Sequence, residues 1–157
     1  MATKNKFAAL DLLEQDHARI ESLLEELAET TERAKTKRTE LLEEIGSQLR
    51  MHAQLEEEIF YPALEAAAKK KEQKVLVAEA YEEHRAVSEL VLPDLEKTDV
   101  ESVEFSGRVK VLKELVLHHA EEEEDELFEE ARALFSAEEM AELSERMEER
   151  RKELEAS

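Results

Sequence analysis

Two stretches of the sequence place a histidine four residues before a glutamate on a helix face that should otherwise be apolar. They read MHAQLEEEIFYP, from Met51 to Pro62, and HHAEEEEDELFEE, from His118 to Glu130. A separation of four residues puts two side chains one turn apart on the same face of a helix. An imidazole and a carboxylate placed in this way can bind one metal ion, so the stretches predict metal ligands.

The spacing alone is weak evidence because glutamate is abundant, and the helix faces are needed to select the ligands. His118 follows Glu114 on its face and is expected near the surface, although Glu122 lies four residues after it. Glu21 also follows a histidine by four residues, but its repeat mate is Ser88, which argues against a symmetric ligand. The expected inward-facing metal ligands lie on apolar stripes: His17, His52, Glu56, His84, His119 and Glu123.

An internal repeat relates the two halves of the chain by an offset of 67 residues. The matched pairs are His17 with His84, His52 with His119, Glu56 with Glu123, and Glu57 with Glu124. Apolar positions follow the same offset without a gap. One helix pair therefore appears twice, and a pseudo-twofold axis would bring the four histidine-bearing helices to one centre.

Four histidines and two glutamates in a buried layer need a specific partner, because a buried glutamate is costly unless it is paired or bound to metal. Six nitrogen and oxygen ligands exceed what one tetrahedral zinc site uses. They suit two metals, each with two imidazoles and with bridging carboxylates. Iron, manganese, zinc and copper all accept these ligand types. The chain has no cysteine, which excludes thiolate zinc sites, iron–sulfur clusters and disulfides.

The elements that position these ligands are predicted to be helices throughout. The chain has two glycines, two prolines and no tryptophan, and it is rich in good helix formers. We expect an all-α, antiparallel up-down four-helix bundle with a short C-terminal fifth helix. The predicted helices run roughly from Lys6 to Lys35, Thr39 to Lys70, Gln73 to Glu96, and Val100 to Phe135, with a fifth after Ser136.

Local signals mark the connections between these helices. The basic stretch from Lys35 to Thr39 is a predicted turn, and Pro93 should kink or end the third helix. Thr98 or Asp99 is the expected N-cap of the fourth helix. Ser136, with a glutamate three residues later, forms a predicted capping box.

These assignments divide the chain into two parts. Residues 1–135 are expected to form the bundle from two helix-pair repeats, and residues 136–157 a C-terminal helical tail. The tail carries an apolar seam, which should pack on the bundle, although pairing with another chain is the alternative. A monomer or a weak dimer is expected.

The formal net charge of −20 argues against binding to nucleic acid or to an anionic membrane surface. No apolar stretch resembles a signal peptide or a membrane span. Together with the absence of cysteine, this favours a cytoplasmic location.

The segments HAQLEEEIFYP and HAEEEEDELF resemble the paired His-x-x-x-Glu-Glu motifs of hemerythrin-like proteins, the HHE cation-binding domains. A lone histidine precedes each motif, as in that family, and the resemblance extends from about Leu10 to Leu134. It implies a four-helix bundle around a non-haem di-iron centre. The implied terminal ligands are His17, His52, His84 and His119, with Glu56 and Glu123 as bridging carboxylates.

The resemblance also implies cofactors and a function. The cofactors would be two iron ions (Fe2+/Fe3+), oxo- or hydroxo-bridged, with manganese or zinc as alternatives. The protein would bind or react with oxygen, peroxide or nitric oxide. The alternative is an iron-responsive sensor or a metal-binding or storage protein without turnover. No separate acid–base residue is visible in the sequence.

One position departs from the oxygen-carrying hemerythrins, which have a fifth histidine one turn before the residue matching His84. Here that residue is Ala80, so one metal should have a coordination position open to water or an added ligand. Tyr81 could fill it, and its repeat mate Glu14 is another candidate outside the six. A packing role is the more ordinary reading of Tyr81.

A second bundle family provides the main structural alternative. Ferritin-like carboxylate proteins use Glu-x-x-His twice, together with two lone glutamates. Glu14 and His17 fit that pattern once, but the repeat mates Tyr81 and His84 do not. The hemerythrin-like reading therefore fits better.

Overall fold

The apolar spacing of the sequence produces four helical rods and a fifth helix within residues 7–157, which are the residues that the computed structural model describes. The first rod is α1 (Ala8–Ala28). The second rod consists of α2 (Lys35–Leu55), the π-helical segment π1 (Glu56–Phe60) and α3 (Tyr61–Ala67), and the third of α4 (Lys71–Arg85), π2 (Ala86–Val91) and α5 (Leu92–Glu96). The fourth rod consists of α6 (Val103–Glu122), π3 (Glu123–Leu127) and α7 (Phe128–Leu134). The fifth helix is α8 (Ala137–Ala156). The predicted all-α four-helix bundle with a short C-terminal helix is confirmed.

The first turn lies earlier than the sequence predicted. The connection occupies residues 29–34, and the stretch from Lys35 to Thr39 is the first turn of α2. Thr30 closes α1, since its hydroxyl donates to the Leu27 carbonyl at 2.6 Å. The predicted start at Lys6 lies outside the described residues.

Arg38 explains why the basic stretch is helical. Its side chain is 2% exposed and donates to the Thr30 carbonyl at 3.0 Å and to the Val100 carbonyl at 2.6 Å. The guanidinium also bonds the Ser106 hydroxyl at 3.0 Å and lies over the Phe105 ring. A buried cation with these partners ties two loops to α6 at the end of the bundle remote from the ligand layer.

The fourth rod is capped by Ser102, so the predicted caps Thr98 and Asp99 are wrong. The Ser102 hydroxyl accepts from the Phe105 backbone at 3.2 Å. Thr98 instead donates to the Asp94 carbonyl at 2.6 Å and closes the third rod. Asp99 accepts from the backbone of Glu101 within the loop, at 2.9 Å.

The remaining signals agree more closely with the structure. Ser136 and Glu139 form the predicted capping box, with bonds of 3.0 Å and 3.1 Å. Pro93 does not end its rod, because the rod continues to Glu96. Both prolines, Pro62 and Pro93, stand second in an α-helix that follows a π segment.

Two apolar clusters lie on opposite sides of the ligand layer. One is built around Leu13, Phe60 and Phe128, and the other around Ile20, Ile45 and Leu112. The C-terminal helix α8 belongs to the first cluster; its fully buried members are Met140 and Met147. The tail therefore packs on the bundle of its own chain, as expected. No helix within residues 7–157 is both long and apolar enough to cross a membrane.

Candidate metal centre

The structure brings all six predicted ligands together in one buried layer. They form two overlapping groups, in each of which the ligand atoms lie within 4.8 Å of one another. The first group is His17, His52, Glu56 and Glu123, and the second is Glu56, His84, His119 and Glu123. Because the groups share both glutamates, the layer has the form of two adjacent sites joined by two carboxylates.

The imidazoles point their Nε2 atoms at this shared centre. His17 and His52 bring these atoms to 3.1 Å of each other, and His84 and His119 do the same at 3.1 Å. Two ligand atoms at right angles around a metal, each about 2.1 Å from it, are separated by about 3 Å. The imidazole pairs therefore have the spacing of neighbouring ligands on one ion.

Each glutamate contacts one imidazole from each pair. Glu56 Oε1 lies 2.9 Å from His52 Nε2 and 3.1 Å from His84 Nε2. Glu123 places Oε1 at 3.2 Å from His17 Nε2 and Oε2 at 3.3 Å from His119 Nε2. Both carboxylates thus span the two groups, which is the arrangement that a bridging ligand requires.

The carboxylate oxygens at the centre need a partner beyond these contacts. Glu56 and Glu123 are 0% exposed. Both oxygens of Glu56 and Oε1 of Glu123 accept no well-formed hydrogen bond from any described residue. A buried ionised oxygen without such a bond is strongly destabilising. Nitrogen and oxygen donors of this kind fit divalent or trivalent transition-metal ions, so the layer fits two metals.

A second set of carboxylates faces the outer nitrogens of the same imidazoles. The Nδ1 contacts are His52 with Asp16 at 2.9 Å, His119 with Glu83 at 3.0 Å, His84 with Glu57 at 3.2 Å, and His17 with Glu124 at 3.4 Å. An ionised carboxylate can only accept, so Nδ1 carries the proton and Nε2 is left for a metal.

This outer set obeys the 67-residue repeat. Asp16 matches Glu83, and Glu57 matches Glu124. The second match is visible in the sequence repeat, but a role for these four carboxylates was not predicted. Their acidic character at repeated positions beside the ligands was the available signal.

Two π segments begin at the two central glutamates. Glu56 opens π1 and Glu123 opens π3, and the backbone N–H of Tyr61 bonds the Glu56 carbonyl five residues earlier. In a regular α-helix, residue i+5 points about 140° away from residue i. The wider π turn instead stacks the two residues on one face, and such segments are frequent at functional sites.

Tyr61 consequently enters the metal centre, and the sequence reasoning missed it. Its hydroxyl donates a short hydrogen bond to Glu123 Oε2. The same oxygen lies 3.1 Å from His84 Nε2 and 3.3 Å from His119 Nε2. The repeat mate on the other side is Phe128, whose ring stacks on His17 with 6.2 Å between centroids. The two halves of the centre are therefore chemically different.

The other candidates from the sequence lie around the centre. Tyr81 is half-buried and packs its ring edge-on against Tyr61, with 5.1 Å between centroids. Glu14 is 41% exposed and lies 3.8 Å from Arg132. Ala80 is 2% exposed in the tightly packed core.

The two surface residues are placed as the sequence predicted. His118 is 62% exposed and contacts Glu122 at 3.2 Å. Glu21 is exposed on α1.

Neighbouring carboxylates favour the protonated imidazoles when no metal is bound. Burial alone would lower the pKa of His52, but Glu56 and Asp16 outweigh it and raise that pKa to about 10. Burial is outweighed in the same way at His119, where the hydrogen bond to Glu123 contributes most to raising the pKa. A metal ion must displace these protons.

A cavity of about 60 Å³ borders the four imidazoles on the side of the second apolar cluster. Its aliphatic lining includes Ile20, Leu49, Val87, Leu92 and Val116. A single water needs about 10–15 Å³ measured in this way, so the cavity has room for a molecule of a few atoms. Apolar walls favour a small, weakly polar ligand.

Arg50 lines the same cavity and extends to the surface. It is 55% exposed and bonds Glu96 at 2.5 Å. Its guanidinium crosses Gly46, where a Cβ atom would come within 2.9 Å of Nη1. Gly46 therefore leaves room for the arginine.

Comparison with known proteins places the chain among metal-binding domains. The family model described as Hemerythrin HHE cation binding domain matches residues 8–131. The chain is similar to a solved HHE cation-binding domain-containing protein from Mycobacterium kansasii. That likeness has a TM-score of 0.78 at 27% identity and covers 92% of this chain and 85% of that one.

A curated relative is longer than this chain. A DNA nickase from Nostoc is 28% identical over 118 residues, which cover 75% of this chain and 32% of the relative. The chain thus spans about a third of that protein.

Replacing both central glutamates should abolish metal binding if they are ligands. Each single change, Glu56→Gln or Glu123→Gln, keeps the side-chain size but removes a charged oxygen from the centre, so metal affinity should fall by about tenfold or more. Metal content after dialysis measures this effect. Glu126→Gln is the matched control, because Glu126 lies on the same rod but is exposed. Full metal loading of the double variant would show that the carboxylates are not ligands.

Metal affinity should rise with pH, while the metal-free protein should lose stability. The pKa of His52 is 6.5 in the unfolded chain and about 10 in the folded one, so its contribution to stability is complete below pH 6.5 and is lost towards pH 10. Metal binding releases the same protons and should strengthen over this window. Competition titrations and thermal unfolding across the window measure both trends. Metal affinity that does not change with pH would contradict imidazole ligation.

Proposed function

The chain belongs to the hemerythrin HHE cation-binding domain family, and from that membership we propose that its buried layer holds two iron ions that bind or react with a small oxygen or nitrogen species. The candidate ligands are oxygen, peroxide and nitric oxide. The observation that carries the proposal is the apolar cavity bordering all four histidines, beside carboxylate oxygens that lack hydrogen bonds. A metal used only for structure would need no such cavity.

Iron is proposed over manganese and zinc because of the mixed ligand set. With both carboxylates shared, the side of His84 and His119 would offer five ligands once the Tyr61 oxygen is counted, one more than the four of a structural zinc site. Imidazole suits iron, and carboxylate suits harder ions such as manganese. A redox-active metal would supply the electron transfer that reactions of oxygen and peroxide require.

The protein's own residues have distinct roles in this proposal. The four histidines bind through Nε2, and Glu56 and Glu123 fix the spacing of the two ions. The outer carboxylates hold His52, His84 and His119 by their Nδ1 protons, whereas Glu124 lies 3.4 Å from His17 Nδ1 without a well-formed hydrogen bond. Two apolar clusters exclude bulk water from both sides of the layer.

Tyr61 is proposed as a further ligand on the side of His84 and His119. Its hydroxyl oxygen already lies within 3.3 Å of both Nε2 atoms, and in the metal-bound protein it would lose its proton to become a phenolate. Burial, reinforced by Glu123 and Glu56, raises the pKa of Tyr61 in the metal-free protein, so a bound cation is needed for that step. Tyr61 would then occupy the coordination position that the sequence predicts to be open, since Ala80 stands where oxygen carriers have a fifth histidine.

The half without Tyr61 is the better place for an added ligand. Phe128 supplies no donor atom beside His17, whereas Tyr61 lies beside His84 and His119, and the cavity borders both pairs of imidazoles. The DNA nicking named for the Nostoc relative is not proposed here, because a net charge of −20 opposes binding to a phosphate backbone.

Tyr61→Phe should remove a visible absorption band from the oxidised, iron-loaded protein. A phenolate bound to Fe3+ absorbs in the visible, and the substitution deletes only the hydroxyl. Tyr81→Phe is the matched control, because that ring packs on Tyr61 with its own hydroxyl outside the ligand layer. Absorption spectra with parallel iron analysis measure the effect. A band that survives in Tyr61→Phe and disappears in Tyr81→Phe would transfer the role to Tyr81.

Filling the cavity should slow ligand binding without removing the metal. Val116→Phe adds a ring to the cavity wall, and the bimolecular rate with nitric oxide or peroxide should fall about tenfold or more if access through this space is required. The rate is measured by stopped-flow mixing with the reduced, iron-loaded protein. Val111→Phe on the exposed side of α6 is the control.

The wild-type rates test the proposed function itself. Reaction with at least one of oxygen, peroxide and nitric oxide is expected. Iron binding without reaction with any of them would replace the proposal with the sensor or storage alternative.

A further inference from the structure

The C-terminal helix α8 reaches the ligand layer through Arg151. The Arg151 guanidinium donates a short hydrogen bond to Asp16 Oδ2. That oxygen also accepts from His52 Nδ1 at 2.9 Å. An unbroken chain of hydrogen bonds therefore connects α8 to an imidazole whose other nitrogen faces the centre.

This connection distinguishes one half of the centre from the other. Asp16 is 8% exposed, whereas its repeat mate Glu83 is 25% exposed. Glu57 and Glu124 are 43% and 37% exposed. Within residues 7–157, Asp16 is the outer carboxylate that forms an ion pair with an arginine.

The position of α8 is set independently of Arg151. Met140 and Met147 are fully buried in the first apolar cluster. Arg150 bonds Glu58 at 2.7 Å, on the exposed side of π1. Because these contacts fix the helix, the backbone that carries Arg151 is held in place beside Asp16.

The surroundings of the Arg151 guanidinium also favour its contact with Asp16. Arg151 is 21% exposed, and its Nε is buried without a hydrogen-bond partner in the described residues. An unsatisfied buried donor is unfavourable, so the contact with Asp16 must outweigh that loss. A freely exposed arginine would have no such constraint.

We propose that Arg151 is a positioning residue for His52, and that it couples the docking of α8 to metal occupancy on the side of His17 and His52. Arg151 fixes the Asp16 carboxylate, and Asp16 fixes the orientation of the His52 ring. This inference rests on the proposed metal binding but not on any reaction with a small ligand. Because coupling is reciprocal, the metal should also tighten the docking of α8.

The coupling lies outside the matched family segment. That segment ends at residue 131, and α8 begins at Ala137. A helix beyond the matched segment therefore acts on a ligand within it.

Arg151→Met tests the inference because it keeps an unbranched apolar stem while removing the guanidinium. Stepwise iron titration should show one of the two metals bound about tenfold to hundredfold more weakly, with the other unchanged. Arg151→Lys, which retains the charge, should recover part of the lost affinity. Arg150→Met is the matched control, since it has the same charge change on the adjacent residue, and should bind both metals as the wild type does.

Hydrogen exchange of the α8 backbone, compared without iron and at saturating iron, provides a second readout beside metal affinity. In the wild type and in Arg150→Met, iron should slow exchange in the second half of α8. In Arg151→Met, iron should leave that exchange unchanged. Two-metal binding and metal-dependent exchange that are identical in Arg151→Met and the wild type would overturn the coupling while leaving the proposed function intact. A wild-type chain that binds no metal would overturn both.

Discussion

The burial of two carboxylates, Glu56 and Glu123, is the constraint on which the rest of the structure depends. A charged oxygen in an apolar core is tolerated only with compensating charge or ligation. The four imidazoles, the outer carboxylates and the π segments all serve that need. The imidazoles surround the two glutamates, and the outer carboxylates hold the imidazoles. The apolar clusters on both sides make the layer dry, which strengthens every charge interaction within it.

Much of this layer could be predicted from the sequence because it is carried by regular helix geometry. The residues from Ile45 to His52 and from Leu112 to His119 follow the α-helical period, so their inward direction was readable. The scarcity of glycine and proline and the four long helical stretches predicted the bundle, and the family resemblance agreed with it. The 67-residue repeat supplied the pairing of the halves, and it extends to the outer carboxylates that the sequence reasoning left without a role.

Features that depart from the regular α-helical period could not be predicted from the sequence. Tyr61 lies beyond the start of π1, where α-helical counting gives the wrong face, so its place beside the imidazoles was not predicted. Arg38 looked like part of a turn because its burial depends on carbonyls from two distant loops. The contact of Arg151 with Asp16 joins residues far apart in sequence, and no local sequence pattern predicts it. The cap at Ser102 was missed because Thr98 and Asp99 are equally good capping residues.

The shared position of π1 and π3 bears on how the two halves of the chain match each other. A π turn holds one residue more than an α turn, so the residues that follow it lie on a different face than α-helical counting gives. Both segments stand at the same place in the repeat, and the halves align without a gap through them. The two rods therefore carry the same change of face after their central glutamates. The third segment, π2, has its counterpart in residues 19–24 of the regular helix α1, so the halves differ in helix geometry there although their sequences align without a gap.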